Sequence, residues 1–365
     1  MSPTMPLLLH VFASFATGGP QVRFTRLVNR MGGAFRHAVV AMDSNYDARN
    51  LLDPALDVRF PAVCVAKRAV GGNVLRFRAA LRAIRPDLLV TSNWGSIEWA
   101  GARIGTGVPH LHLEDGFGPE EQSRQLPRRV LARRLLLRRA TVVLPSRTLF
   151  RIAREEWKLP PERLRLLPNG VDTSRFAPVV REGPARPVTI GTVAALRPEK
   201  NLARLIRAIA RLGPDVRLVI VGDGAERPAL EALAAAEGVA ERVSFAGHCH
   251  DPAPLYADFD VFALSSDTEQ MPLSLLEAMA AGLPVAATDV GDVAEMLDPQ
   301  HRHFVVPCDD AALAGALGAL VQDADMRRQL GAANRRRAED HFAETAMVAA
   351  WEGLFRDLSA KGTPN

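Results

Sequence analysis

Apolar runs of strand length recur along the whole chain, and between them lie segments whose apolar residues return every three or four positions. The first half carries LLLHVFA, HAVVAM, DLLVTS, HLHL and TVVLPS, and the second carries VTIGTV, RLVIVGD, VSFAG, DVFALSS and PVAATD. Near-continuous apolar strands alternating with helical periods are the mark of parallel sheets covered on both faces, so the chain is read as α/β throughout. NLARLIRAIARLG shows the helical half of the pattern: Leu202, Leu205, Ile206 and Ile209 fall on one face, and Asn201 can cap the start.

The rhythm breaks once, in DTSRFAPVVREGPARPV between Asp172 and Val188, where three prolines, a glycine and mixed charges carry no period. A chain of 365 residues exceeds the usual size of a single core. The expected organisation is therefore a Rossmann-like domain over residues 1–175, a linker over 176–187 and a second Rossmann-like domain over 188–342. A terminal helix over 343–365 is expected to return to the first domain. Two such domains facing a central cleft would present the carboxyl ends of their strands to a ligand.

With 48% hydrophobic and 24% charged residues, the composition excludes disordered and fibrous chains. Only four of the basic residues are lysines, and a net charge of +4 is too mild to argue for nucleic acid. Arginine forks suit phosphate and carboxylate, so the anionic partner is expected to be small. Cys64, Cys249 and Cys308 lie far apart, without metal-ligand spacing, which favours a reducing, cytoplasmic setting. The opening MSPTMPLLLHVFASFATGG has no basic residue before Arg23 and is read as a first buried strand instead of a signal peptide. No apolar run reaches the roughly 18 residues that a spanning helix needs.

The stretch SSDTEQMPLSLLEAMAAGLPV, Ser265 to Val285, sets Glu269 and Glu277 eight positions apart across strand, loop and helix. A helix beginning near Leu273 leaves its first amides unpaired, so the backbone N–H groups around Met271 and Leu273 can meet an anionic or hydroxyl-rich ligand. Glu277, a turn inside, can accept two hydrogen bonds from a vicinal diol such as a ribose. On spacing alone, solvated helix and loop charges fit as well.

Wider context resolves this. EAMAAGLPV, together with the glutamate pair, resembles the family 4 retaining glycosyltransferases of the GT-B fold. A GG pair after the first strand, HLEDG, LPNGVDTSRF, LRPEKN, VGDGAER and YADFDVFALSS follow in that family's order over nearly the whole chain. The resemblance implies transfer of a sugar from a nucleotide diphosphate sugar to a hydroxyl acceptor, a glycan or lipid-linked glycan in polysaccharide assembly. No cofactor beyond that donor and no metal is implied.

Carried across by position, the resemblance makes Lys200 the cation beside the donor diphosphate, with Glu269 and His112 flanking the sugar and Glu277 on the ribose. Where the family has an arginine before that lysine, this chain has Ala195, and Arg197 is the candidate replacement. Gln270 stands where the family prefers glycine, which leaves the donor sugar open. Gly18 and Gly19 match the family's glycine loop, Gly222 and Gly247 with His248 lie on the nucleotide side, and Glu114 and Asp115 on the acceptor side. His110 is read as structural, and NGVD, Asn169 to Asp172, fits a hinge at least as well as a ligand contact. DFD, Asp258 to Asp260, is also read as structural, since it enters a strand at its amino end and not at the end where ligands bind. The basic stretch Ser123 to Arg139 holds seven arginines but scatters them and its leucines around a helix, leaving a partly buried helix and peripheral contact with anionic lipid both open. Alternative functions are an epimerase of the same architecture and a catalytically weak nucleotide-sugar-binding subunit.

Overall fold

The computed structural model describes residues 5–65, 70–121, 124–178, 187–249 and 251–360. The chain forms two compact units: residues 1–168 with 347–365, and residues 169–346.

The first unit holds strands β1 (Leu7–Phe12), β2 (Arg36–Ala41), β3 (Val58–Arg59), β4 (Leu88–Ser92), β5 (His110–Leu113), β6 (Thr141–Leu144) and β7 (Leu164–Leu166). Its helices are α1 (Gly19–Met31), α2 (Val70–Ile84), α3 (Ile97–Ala102), α4 (Pro127–Leu136) and α5 (Arg147–Glu155). The strands form one parallel sheet in the order β3-β2-β1-β4-β5-β6-β7. Successive side chains of β1 alternate between two cores, as a pleated strand covered on both faces requires. Leu8 packs with Leu27 and Met31 of α1, while Leu7, Leu9 and Val11 pack with Phe77 and Leu81 of α2 and Trp99 of α3.

The second unit holds β8 (Val188–Val193), β9 (Val216–Val221), β10 (Val243–Gly247), β11 (Val261–Leu264), β12 (Val285–Thr288) and β13 (Val305–Val306). Its helices are α6 (Leu202–Ala210), α7 (Arg227–Ala236), α8 (Ala253–Tyr256), α9 (Leu273–Ala280), α10 (Val293–Met296), α11 (Asp310–Gln322) and α12 (Ala324–His341). The sheet is parallel in the order β10-β9-β8-β11-β12-β13. Asn201 caps α6 by accepting the Arg204 N–H, as expected, and does so from a left-handed conformation at φ 40°. Asp260 accepts the Thr189 N–H at 2.8 Å, at the entry to β11, so the DxD sequence is part of the sheet margin.

The border between the units differs from the expectation. Asn169–Phe176 belongs to the second unit: the Asn169 side chain donates to the Met271 carbonyl at 2.8 Å, and Val171 pairs with Ala343. A local Asn-Gly signal reads as a hinge, whereas long-range bonds decide which core the segment joins. The linker placed at 176–187 falls mostly outside the described residues. Helix α13 (Glu344–Ala360) buries Met347, Trp351, Phe355 and Leu358 with Leu8, Leu88 and Leu111 in the first unit's core.

Between β1 and β2 of that unit, His10 Nε2 and His37 Nδ1 lie 3.1 Å apart beside Phe24, Phe35 and Phe355. Burial, outweighing the nearby Asp57, lowers His37 from 6.5 to about 4, and burial with the His37 neighbour lowers His10 as well. A lowered folded pKa means that the unfolded chain takes up the proton first as pH falls. The stability these neutral rings contribute is thus complete above about pH 6.5 and drains away between there and about pH 4. All four tryptophans lie in the first unit, so their fluorescence reports its unfolding. Between about pH 7 and about pH 5, wild type should lose about 2 kcal/mol more stability in urea titrations than His37→Gln. Equal losses would show that this ring does not carry the effect.

Candidate functional site

In the second sheet the strand order reverses at β8, whose neighbours are β9 and β11. Connections leaving the carboxyl ends of β8 and β11 depart to opposite sides, and such a switch point opens a crevice in a doubly wound sheet. Lys200 lies in the turn after β8 and Glu269 in the loop after β11. The structure joins them: Lys200 Nζ is 2.6 Å from Glu269 Oε1, with the two side chains 25% and 10% exposed. Ser266 donates its hydroxyl to the same oxygen at 2.8 Å.

The two loops are laced together below this pair. Asp267 N–H donates to the Glu199 carbonyl, Ser265 hydroxyl to the Lys200 carbonyl, and Asn201 Nδ2 to the Asp267 carboxylate. Arg204, one turn into α6, is buried; its Nη1 donates to the Ser265 carbonyl at 2.7 Å and contacts Asp267, while Nη2 reaches the Cys308 carbonyl. A buried guanidinium bound to the loop after β11 and to the segment after β13 fixes the spacing of both relative to α6. Thr288, at the end of β12, donates to the Ser266 carbonyl at 2.6 Å.

Two glycines with positive φ let these loops pack closely. Gly222, at the end of β9, has φ 135°, and a Cβ there would sit 1.9 Å from the Ala194 carbonyl oxygen, so only glycine lets the strand end lie against the loop that leads to Lys200. Its N–H donates to the Gly247 carbonyl at 2.8 Å, which brings Gly222, Gly247 and the exposed His248 to one end of neighbouring strands. Gly291, at φ 59°, would push a Cβ to 2.2 Å from the Glu269 carbonyl oxygen.

Helix α9 begins at Leu273 with Pro272 as its N-cap. Leu273 therefore supplies one of the amides that helix geometry leaves without an intrahelical partner. Met271 lies outside the helix; its sulfur and carbonyl receive the Asn169 backbone and side-chain N–H groups, so Met271 is anchored through its acceptors. Glu277 is buried, and its Oε2 lies 3.0 Å from the Tyr256 hydroxyl. Arg197 carries an exposed side chain next to the Lys200 turn. Ser266, Tyr256 and Arg204 were not singled out by sequence. Tyr256 is one of only two tyrosines in the chain, which is a faint signal, and the serine and arginine gave none.

The first-unit candidates occupy a separate arrangement. Gly18 caps α1 and Gly19 opens it. A Cβ at Gly19 would meet nothing within 4 Å, so packing inside the unit does not demand that glycine. Arg23 of α1 pairs with Asp115 through two hydrogen bonds, and Asp115 N–H donates to Asn93 Oδ1 at 2.7 Å. His112 is buried, with Nδ1 2.8 Å from Thr91 Oγ1 and Nε2 3.4 Å from Glu114 Oε2. Thr91 Oγ1 also lies 2.7 Å from His110 Nε2. Burial, helped by the His112 and Arg103 charges, lowers the His110 pKa well below its ordinary value, so the ring is neutral near pH 7.

Behind Glu114 stands Arg133, a fully buried residue of α4 that the sequence does not mark. It donates Nε to Glu114 at 3.1 Å and both Nη groups to Glu121, inside a box of Trp94, Phe117 and Trp157 rings. Burial pushes the Glu121 carboxyl up, but hydrogen bonds from Arg133 and Arg129 outweigh it and hold Glu121 below its usual range. Glu114 Oε1 is buried without a hydrogen-bond partner. Among the described residues no group of three or more His, Cys, Asp or Glu is arranged to hold a metal, and no helix is long and apolar enough to cross a membrane.

Comparison with known proteins follows the same division. The profile described as Glycosyltransferase Family 4 matches residues 17–175, and that described as Glycosyl transferases group 1 matches residues 178–337. The MMP alpha-(1->4)-mannosyltransferase of Mycolicibacterium hassiacum is 32% identical over 212 residues, covering 56% of this chain and 51% of that protein. A D-inositol 3-phosphate glycosyltransferase of Stackebrandtia nassauensis is 29% identical over 309 residues, covering 75% of this chain and 68% of that protein. The chain thus spans about half to two thirds of the length of these relatives. Sucrose-phosphate synthase from Thermosynechococcus elongatus superposes with a TM-score of 0.80 at 23% identity, covering 97% of this chain and 99% of its own. Anabaena Alr3699/HepE, determined with UDP and glucose, superposes with a TM-score of 0.81 at 19% identity, covering 96% and 99%. Matched in both halves by the family profiles, and sharing its fold with these structures, the chain belongs to the family 4 glycosyltransferases of the GT-B fold.

Proposed function

We propose that the protein is a retaining hexosyltransferase that moves a sugar from a nucleotide diphosphate sugar to a hydroxyl acceptor without a metal ion. The observation that carries this reading is the meeting of Lys200 and Glu269 at the switch point of the second sheet, beside the opening of α9. As the sugar leaves, negative charge gathers on the diphosphate, and a fixed cation with oriented amides is the arrangement that stabilises it. Lys200, with Arg197 beside it and the Leu273 amide, takes the diphosphate. Met271 holds the loop that leads into those amides. Glu269, steadied by Ser266, faces the sugar, and Glu277, oriented by Tyr256, grips the ribose. Gly222, Gly247 and His248 border the nucleotide.

In the free protein Lys200 and Glu269 neutralise each other. Arrival of a diphosphate gives the ammonium a second anion, and Glu269 becomes freer to accept sugar hydroxyls. In the first unit Gly18 and Gly19 offer open backbone, and His112, held by Thr91 and Glu114, is assigned to the sugar. Glu114 Oε1 is suited to an acceptor hydroxyl because it lacks a partner in its own network, and Asp115 is held beside it by Arg23. The reading places the work in the cytoplasm, with a glycan or lipid-linked glycan as acceptor. A lipid-linked acceptor would bring the protein to an anionic membrane as a peripheral partner.

Thermal shift with a panel of nucleotide sugars identifies the donor, since a ligand at about 100 times its Kd stabilises by about 2.7 kcal/mol. With that donor and an acceptor, Lys200→Ala and Glu269→Ala should each lower kcat about 100-fold to 1,000-fold. Near-normal turnover of Lys200→Ala would refute the site. Nucleotide released only when acceptor is present distinguishes transfer from epimerisation. Glu277→Gln should instead raise the donor KM about tenfold with a smaller change in kcat, as expected for a contact shared by ground and transition states. Gly291→Ala, which touches no ligand in this reading, should displace the Glu269 backbone and lower kcat about tenfold or more; unchanged kcat in a folded variant would show that the loop tolerates the shift.

A further inference from the structure

Helix α4 is built inside out. Its Arg133 is fully buried, while Leu131 and Leu135 stand 56% and 65% exposed. At about 100° per residue, Arg128, Leu131 and Leu135 share one outward stripe, with the exposed Arg134 on its flank and the exposed Arg124 and Arg138 continuing it beyond the helix ends. Residues 124–139 contain no acidic side chain. A depression beside this stripe, of about 400 Å³, is lined by Arg134, Arg138, Arg154 and Lys158. Two acids adjoin this side: Glu155 pairs with Arg154, and Glu156, which accepts the Gln125 amide, lines a second depression with Arg124, Leu131 and Arg134, so arginines still outnumber carboxylates there. Like charge is crowded there too, for Arg139 and Arg163 add to burial in lowering the Arg103 proton affinity.

We propose that this outward face of α4, with Arg154 and Lys158 beside it, is a docking surface for an anionic lipid bilayer. Water gives no reason to turn two leucines outward from a helix that buries an arginine. An interface of phosphate headgroups over acyl chains does, because it solvates guanidinium and leucine side by side. Soluble anions such as nucleic acid would use the arginines but leave the leucines wet. The proposal deepens the membrane part of the reading above, and its test does not use the donor site.

The test is co-sedimentation of the full chain with vesicles of one part phosphatidylglycerol to three parts phosphatidylcholine, and with pure phosphatidylcholine vesicles. Preferential binding to the anionic vesicles is expected. Each arginine near an anionic surface contributes about fivefold, so Arg128→Gln with Arg134→Gln should weaken partition about 30-fold. Leu131→Ser with Leu135→Ser should weaken it about tenfold. Absence of wild-type binding, or loss with the arginine pair but none with the leucine pair, would overturn the proposal; the second result, with equal binding to duplex DNA, would assign the face to soluble polyanions. The thermal shift given by the panel's best nucleotide sugar stays at the wild-type value in the same variants if the two sites are independent. Failure of every nucleotide sugar in the panel to shift any form would count against the donor reading and leave the vesicle result standing.

Discussion

A parallel sheet whose chain winds outward in both directions from one strand must part its connections somewhere, and no helix can cover the gap from above. In the second unit that place lies between β8 and β11. Both loops that border it need an internal brace, because each leaves its strand without a neighbour to lean on. Arg204 supplies much of that brace from below, taking the Ser265 and Cys308 carbonyls and the Asp267 carboxylate. Lys200 and Glu269 can then sit together with their charged ends partly exposed, on loops that are otherwise tied down by backbone bonds. Rigid support under a small polar opening is the physical content of preorganisation.

The first unit solves a different electrostatic problem. Its carboxylates Glu114 and Glu121 are desolvated, and Arg133, itself faced by three aromatic rings, answers both, with Arg129 adding a second guanidinium on Glu121. Such a network is costly to leave incomplete, so it holds its members in one geometry. His112 inherits that order through Glu114 on one side and Thr91 on the other.

Much of this was legible before the structure. Alternating periods gave the α/β class and the longer strands, because burial on both faces leaves continuous apolar runs; the two- and three-residue strands β3, β7 and β13 are too short to show a period. The motifs pointed to Lys200 and Glu269, which the structure brings together at 2.6 Å, and to Gly222, where a Cβ would strike the Ala194 carbonyl. What escaped was decided by distant partners. Asn169 reads as a turn residue, yet Met271, about a hundred positions away, recruits it into the second unit. Arg133 lies among seven arginines that look alike in sequence, and only Glu114, Glu121 and the rings around it distinguish the buried one. For the same reason α4 shows a scattered apolar pattern: the inward arginine and outward leucines cancel in any average over the helix.

The path of the chain through its two units also sets an order of assembly. Residues 169–346 are contiguous and contain everything their own core needs. Residues 1–168 do not, since Met347, Trp351, Phe355 and Leu358 complete the layer under Leu8, Leu88 and Leu111. A ribosome delivers those four side chains nearly two hundred positions after β7. The half that is translated second can therefore close first, while the half translated first waits with one apolar face uncovered, in the state where a chaperone would find it.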